Sequence, residues 1–256
     1  MKTLREHLRV LSPILWVVWL TGCSSPSLVE PVRSSSEYRH SPYQEPFSGK
    51  DLTGWRMPIG EWTVAGGVES QTGDPKALRI LDGSGVLVNG PTGRTVNLLS
   101  EMEHGDVELS LEFLVPEGSN SGVYLQGRYE VQIRDSWQHY EPTFADCGGI
   151  YQRWIDQQGF EGQAPRVNAS LPAGEWQRFD ITFRAPRFDS LGRKVEDARF
   201  VQVLHNGVVI HENVSVSGPT RSASFINERA LGPIMLQGDH GPVAYRNLIV
   251  RQVVLP

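Results

Sequence analysis

No stretch of this 256-residue chain is apolar for long enough to cross a bilayer comfortably; the longest such run is short, from Val10 to Leu20. No amphipathic helical repeat of any length is present either, which argues against a helical bundle or an alternating α/β fold. Basic residues do not dominate: 24 Lys and Arg stand against 29 Asp and Glu, for a net charge of −5. No basic stripe interleaved with aromatics relieves that balance, so a nucleic-acid partner is excluded. Cysteine is nearly absent, with Cys23 and Cys147 alone, and a disulfide-framed fold is excluded with it. What remains is a chain long enough to bury one sizeable core and obliged to rely on it.

The amino terminus reads as an export signal. Lys2, Arg5 and Arg9 precede the run from Val10 to Leu20, a charged region followed by a short apolar one. The run ends in Leu20-Thr21-Gly22-Cys23, which resembles a bacterial lipobox. The resemblance implies a lipoprotein signal peptide over 1–23, a lipidated Cys23 and a membrane partner reached through that lipid. Ser24 follows the cysteine rather than an aspartate, implying a cell-envelope location at the outer membrane, facing the periplasm. Residues 24–46, rich in Ser, Pro and Tyr, are expected to form a flexible tether. Cys147 is then the one remaining thiol, read as a small buried residue rather than a nucleophile.

From residue 47 to 256 the pattern is short strands punctuated by turns. Val107, Leu109, Leu111 and Phe113 alternate with polar residues, as do Phe179, Ile181 and Phe183. Phe200–Leu204 and Val208–Ile210 flank His205-Asn206-Gly207, a strong hairpin signal because Asn and Gly tolerate positive φ. Trp62–Val64 and Val68–Ser70 around Ala65-Gly66-Gly67 predict a second hairpin. Strands at this spacing without helices predict an all-β sandwich of two antiparallel sheets, a jelly roll. The irregular segment from Phe144 to Pro172 is expected to border a site. Arg184 to Arg199 is expected to be a solvated excursion.

Tyr129–Asp135 carries the most chemical information. On a strand, Val131 and Ile133 point one way while Glu130, Gln132 and Arg134 point the other, roughly 7 Å apart in succession. Asn120–Gln126 precedes it as a second strand behind a glycine-bounded turn. The string from Glu130 to Asp135 is similar to the acid signature of the laminarinase and lichenase family, which is also a jelly roll. Retaining chemistry there needs two carboxylates about 5 to 5.5 Å apart. Gln132 replaces the middle acid, and Glu130 and Asp135 fall on opposite faces of a regular strand, so a retaining β-glucanase-like glycosidase requires a bulge.

Several segments taken together point elsewhere. Phe47-Ser48-Gly49-Lys50-Asp51-Leu52-Thr53-Gly54-Trp55 opens the domain, Gly105–Leu109 starts a strand, and Asn120–Leu125 precedes Tyr129–Asp135. Pro172–Gln177 and Leu236-Gln237-Gly238-Asp239-His240-Gly241-Pro242 through Leu248 follow. In order and wording these resemble the 3-keto-disaccharide hydrolase family over about Phe47 to Arg251. The resemblance implies a concanavalin-like jelly roll acting on an oxidised, 3-keto sugar. A C3 ketone acidifies the C2 proton, so a base removes it, the C1 substituent leaves by β-elimination and water adds back; no carboxylate pair is needed.

On that reading Glu130 and His240 are the acid and base candidates, since a histidine in a glycine-flanked turn approaches ligand and serves either role. Asn120, Arg128, Gln132 and Gln237 suit sugar hydroxyls or an enolate, and Trp137 and Tyr151 suit stacking on a sugar face. Asp135 is a further substrate-side candidate, and Arg134 either pairs with an acid or stays structural. A divalent metal would stabilise an enolate well, with Glu130, Asp135, Asp239 and His240 as available ligands, but no local ligand spacing specifies one. A non-catalytic carbohydrate-binding lipoprotein is the alternative from another class.

Overall fold

The computed structural model describes residues 41–256. The expected signal peptide, Cys23 and residues 24–40 of the expected tether lie outside the described residues. Among those described, regular structure is entirely β. The strands are β1 (Thr63–Gln71), β2 (Asp74–Val88), β3 (Leu98–His104), β4 (Val107–Leu114), β5 (Asn120–Leu125), β6 (Tyr129–Arg134), β7 (Arg153–Ile155) and β8 (Gln158–Phe160). They continue as β9 (Gln177–Arg184), β10 (Arg187–Phe188), β11 (Lys194–Glu196), β12 (Ala198–His205), β13 (Val208–Val216), β14 (Gly232–Leu236) and β15 (Ala244–Gln252).

Two antiparallel sheets make the jelly-roll sandwich that the alternation predicts. One has seven strands in the order β1-β2-β15-β4-β9-β12-β13, and the other four in the order β3-β14-β5-β6. Leu109, Leu111 and Phe113 of β4 and Phe179 and Phe183 of β9 face inward, meeting Val123, Tyr129, Val131, Ile133 and Leu236 from the smaller sheet in one buried cluster. Ring centroids 5.3 Å apart join Tyr129 to Phe183 across the layers, and Phe183 to Phe200 at the same distance. Each fully buried large apolar side chain contributes about 1.5–3 kcal/mol. That core substitutes for the missing disulfides, and Cys147 is a free, buried part of it.

The Asn206-Gly207 turn has positive φ at both residues, 51° and 79°, and joins β12 to β13 as expected. The hairpin expected around Ala65-Gly66-Gly67 is absent. Residues 63–71 instead run as one strand with a bulge between Ala65 and Gly67, pairing with β2. A Cβ on Gly66 would lie 2.5 Å from the Asp82 carbonyl oxygen, so the glycine permits close passage of two strands rather than a reversal. The last residues of the expected tether are hydrogen-bonded to β15: Gln44 and Val250 exchange N–H···O bonds of 2.7 and 2.8 Å, and Ser41 N–H donates to Gln252 O at 3.0 Å. An isolated bridge at Gln44 thus ties this segment to β15.

The excursion from Arg184 to Arg199 forms the small β10–β11 ribbon, and Phe144 to Pro172 contains the β7–β8 ribbon. Residues 148–151 of the latter segment run along the outer edge of β6. Gln132 N–H donates to Gly149 O and Gly148 N–H to Gln132 O, both at 2.8 Å, and Tyr151 N–H donates to Glu130 O at 3.2 Å. That covering segment closes an otherwise open strand edge.

Candidate active site

The outer face of a sandwich sheet is ordinarily wet; that of β5 and β6 is not. Pairing sets Asn120 opposite Arg134, Gly122 opposite Gln132 and Tyr124 opposite Glu130. By period two all six share the face turned away from the core. Glu130 and Gln132 are each only 3% exposed, because residues 148–151 and, beyond them, residues 220–222 line the open edge of β6. Thr220 fixes the second of these segments, its N–H donating to Arg128 O at 2.9 Å and its hydroxyl accepting from Glu130 N–H at 3.1 Å. Between that edge and the loop that follows β14 lies a cavity of about 220 Å³, bounded by Asn120, Tyr124, Glu130, Gln132, Tyr151, Arg221, Ser222, Gln237 and His240.

Gln237 directly follows β14, the strand beside β5. Its N–H donates to Gly122 O at 2.9 Å, and its carbonyl accepts from Ser121 Oγ at 2.8 Å. The loop after it carries His240 and is pinned from below by Asn89, a fully buried residue. The Asn89 amide donates to Gly238 O at 3.1 Å and Gly241 O at 2.8 Å, and its Oδ1 accepts from Val243 N–H at 2.8 Å. Gly241, with φ of 148°, passes so close to Gly93 that a Cβ on Gly93 would sit 2.0 Å from the Gly241 carbonyl carbon. The loop therefore presents His240 rigidly. His240 Nδ1 meets Asp239 Oδ1 at 2.5 Å, leaving Nε2 as the free ring nitrogen.

Burial pushes the Glu130 carboxyl up to about 8; the Tyr124 hydroxyl offsets part of that rise and the Asp239 charge adds to it. Near neutral pH the group is therefore mostly protonated, a carboxylic acid able to donate. Burial, with Glu130 beside it, holds the Tyr124 phenol well above its usual range and so protonated; its hydroxyl donates to Arg221 O at 3.3 Å. The Arg221 guanidinium stacks 4.0 Å from the Trp154 ring centroid at the cavity mouth. Asn120 Oδ1 and Gln132 Oε1 are buried acceptors without a protein partner. An unsatisfied buried acceptor is costly, and two in one cavity suit a ligand rich in hydroxyl donors.

The cavity thus gathers Glu130, His240, Asn120, Gln132, Gln237 and Tyr151 from the residues singled out in the sequence, and leaves out three. Arg128 turns away after the 126–128 turn, its Nε donating to Asn227 O at 2.8 Å and its guanidinium lying over Phe225 at 5.1 Å. Asp135 Oδ2 accepts from Gly118 N–H at 2.9 Å, five residues and so about 17 Å of strand beyond Glu130. It is a turn cap, and no bulge brings it back to form a glycosidase pair. Trp137 borders a different hollow with Tyr140 and Arg166. Tyr124, Arg221 and Ser222 are the contributors not anticipated. Among the described residues no three His, Cys, Asp or Glu side chains converge as a metal cluster.

The 3-keto-alpha-glucoside-1,2-lyase-like domain matches residues 42–251. Among solved structures, a candidate glycosyl hydrolase from Parabacteroides distasonis is 28% identical with a TM-score of 0.61, over 83% of this chain and 84% of that one. A second protein of the same organism, also a candidate glycosyl hydrolase, shares the fold at 20% identity and a TM-score of 0.53, over 83% of this chain and 100% of its own. No curated protein matches the chain.

Proposed function

The chain belongs to the family of 3-keto-alpha-glucoside-1,2-lyase-like domains, a carbohydrate-active family, and from that premise we propose that it cleaves 3-keto-glucosides by elimination across C1 and C2 followed by hydration. The observation that carries this reading is the lone, buried carboxyl of Glu130, raised to about 8, on a cavity floor it shares with His240. A retaining glycosidase needs an ionised nucleophile and a second carboxyl about 5 Å away. An elimination next to a ketone needs one base, one acid and a cradle for an enolate.

His240 Nε2 takes the C2 proton, with Asp239 on Nδ1 orienting the ring. The C2–H electrons form the C2=C3 bond, and negative charge collects on the C3 oxygen, where Arg221 and Tyr124 supply positive charge and a hydroxyl donor. The enolate then collapses: C3=O re-forms, C1=C2 forms, and the C1–O1 bond breaks as Glu130 passes its proton to O1. Water adds to C1 while the Glu130 carboxylate takes a proton from it, and His240, half exposed and so able to exchange the abstracted proton with solvent, protonates C2. Both residues end as they began. Asn120, Gln132 and Gln237 hold the sugar hydroxyls.

The amino-terminal pattern adds a location to the proposal, with lipid on Cys23 holding the domain at the outer membrane of a bacterial envelope. The test of the activity is release of the aglycone from a 3-keto-glucoside and from its unoxidised parent by the full chain. Release from the keto compound alone supports elimination; binding of both without release points to a carbohydrate-binding role.

A further inference from the structure

A second hollow adjoins the cavity. It measures about 570 Å³ and is bounded by residues that include Met57, Val96, Asn97, Phe225 and Asp239. The Asp239–His240 dyad is the wall between the two spaces, His240 lining one and Asp239 the other. The 220 Å³ cavity is smaller than the ~300–1,000 Å³ that encloses a drug-sized ligand, so anything attached to C1 of a sugar seated there must lie outside it. The larger hollow begins at the residue bonded to the proposed base.

The chemistry of the two spaces differs. In the cavity, Asn120 Oδ1 and Gln132 Oε1 wait without partners. In the hollow several polar atoms are already engaged within the protein. Arg56 Nη2 donates to Glu103 at 2.8 Å, and Thr95 Oγ1 accepts from Glu61 N–H at 2.8 Å. Asn97 Oδ1 accepts from Gly238 N–H at 3.1 Å, and Ser224 Oγ donates to Met235 Sδ at 2.8 Å. Most of the surface the hollow exposes is apolar: Met57 is 77% exposed and Val96 39% exposed, with the Phe225 ring beside them. A second sugar would bring hydroxyls that find few partners here and would lose solvation.

We propose that this hollow seats the aglycone, and that the preferred leaving group is a bulky, largely apolar alcohol rather than a second sugar. The inference rests on the elimination reading above.

The test compares kcat/KM of the full chain on 3-keto-glucosides bearing methyl, 2-phenylethyl and glucosyl aglycones; both non-sugar aglycones are simple alcohols, so leaving-group chemistry is nearly matched. The phenylethyl compound is expected to exceed the methyl one on the order of tenfold and to exceed the disaccharide. Met57→Asp and Val96→Asp, both at exposed positions, bring the phenylethyl-to-methyl ratio toward one. Equal values for all three compounds, preference for the disaccharide, or a ratio unmoved by both variants overturns the assignment. The same comparison in Kd with Glu130→Gln reads aglycone preference where there is no turnover. Failure of every compound to react, with that binding preference intact, would count against elimination and not against the hollow.

Discussion

Gly122 and Glu130 lie diagonally across the β5–β6 pairing, and a Cβ on Gly122 would fall 2.3 Å from Glu130 Oε1. The carboxyl occupies the space that any other side chain on β5 would fill. Gly122→Ala is therefore expected to leave the sandwich folded, because the position is an ordinary strand residue, while displacing the Glu130 carboxyl. A displacement near 1 Å at a reacting group costs about 10²-fold in rate. Steady-state kinetics and near-ultraviolet circular dichroism check the two halves of the expectation.

Replacing the carboxyl itself separates activity from stability. Glu130→Gln removes the proposed acid and is expected to lower kcat by about 10²–10⁴-fold. The folded state holds the carboxyl at about 8 against an ordinary 4.5. Its contribution is thus most favourable below pH 4.5 and is lost progressively as pH rises through 8. The amide bears no such penalty, so the variant is expected to be more stable than the parent by up to about 3 kcal/mol at pH 7 and by little at pH 4.5. Denaturant midpoints at the two pH values measure the difference.

The face bearing Glu130 and Gln132 was legible in the sequence because period-two alternation is local, and so was the sandwich, from Val107–Phe113 and Phe179–Phe183. Tyr124 was within reach too: it shares parity with Asn120 on β5, which sets it on the same face. Arg221 and Ser222 carried no such signal. They arrive from the loop after β13 and are held at the cavity by long-range contacts, through Thr220, the Tyr124 hydroxyl and the Gln152 carbonyl, which accepts from Arg221 N–H at 2.9 Å. Arg128 has the parity of Glu130, but the turn before it, with Gln126 and Gly127 at φ of 54° and 63°, carries it out of the strand. Trp137 follows the end of β6, where alternation no longer fixes direction. The glycines at 66 and 67 misled because a bulge and a hairpin turn have the same composition.

Acid and base roles are distinguishable by pH. With Glu130 as donor, kcat/KM is expected to fall about tenfold per unit above pH 8; were it the base, the rate would rise through the same range. Asp239 contributes negative charge toward Glu130 and orients His240, so Asp239→Asn is expected to move the limb below 8 and slow turnover by about tenfold. The pH–rate profiles of parent and variant carry the comparison.

Acid lability should come from three buried histidines that do not line the cavity. Burial lowers His104 and His211 to about 4 and His205 to about 3. A histidine held neutral in the fold stabilises fully above its ordinary value near 6.5, and that contribution is lost as pH falls toward the lowered values. Between pH 6.5 and 4 the three together are expected to cost up to about 4 kcal/mol per pH unit. A steep decline in denaturant midpoint over that interval, with none of comparable slope between pH 7 and 9, is the expected result.

The most direct measurement is the isotope effect at C2. A 3-keto-glucoside carrying deuterium on C2 and its protiated form are turned over by the full chain, alongside the unoxidised parent glucoside. Slower cleavage of the deuterated compound, with its deuterium exchanged into solvent and the parent left intact, is the predicted outcome. Cleavage of the parent glucoside at a similar rate, with C2 deuterium fully retained in the product, would contradict elimination and return the site to direct attack on the anomeric carbon.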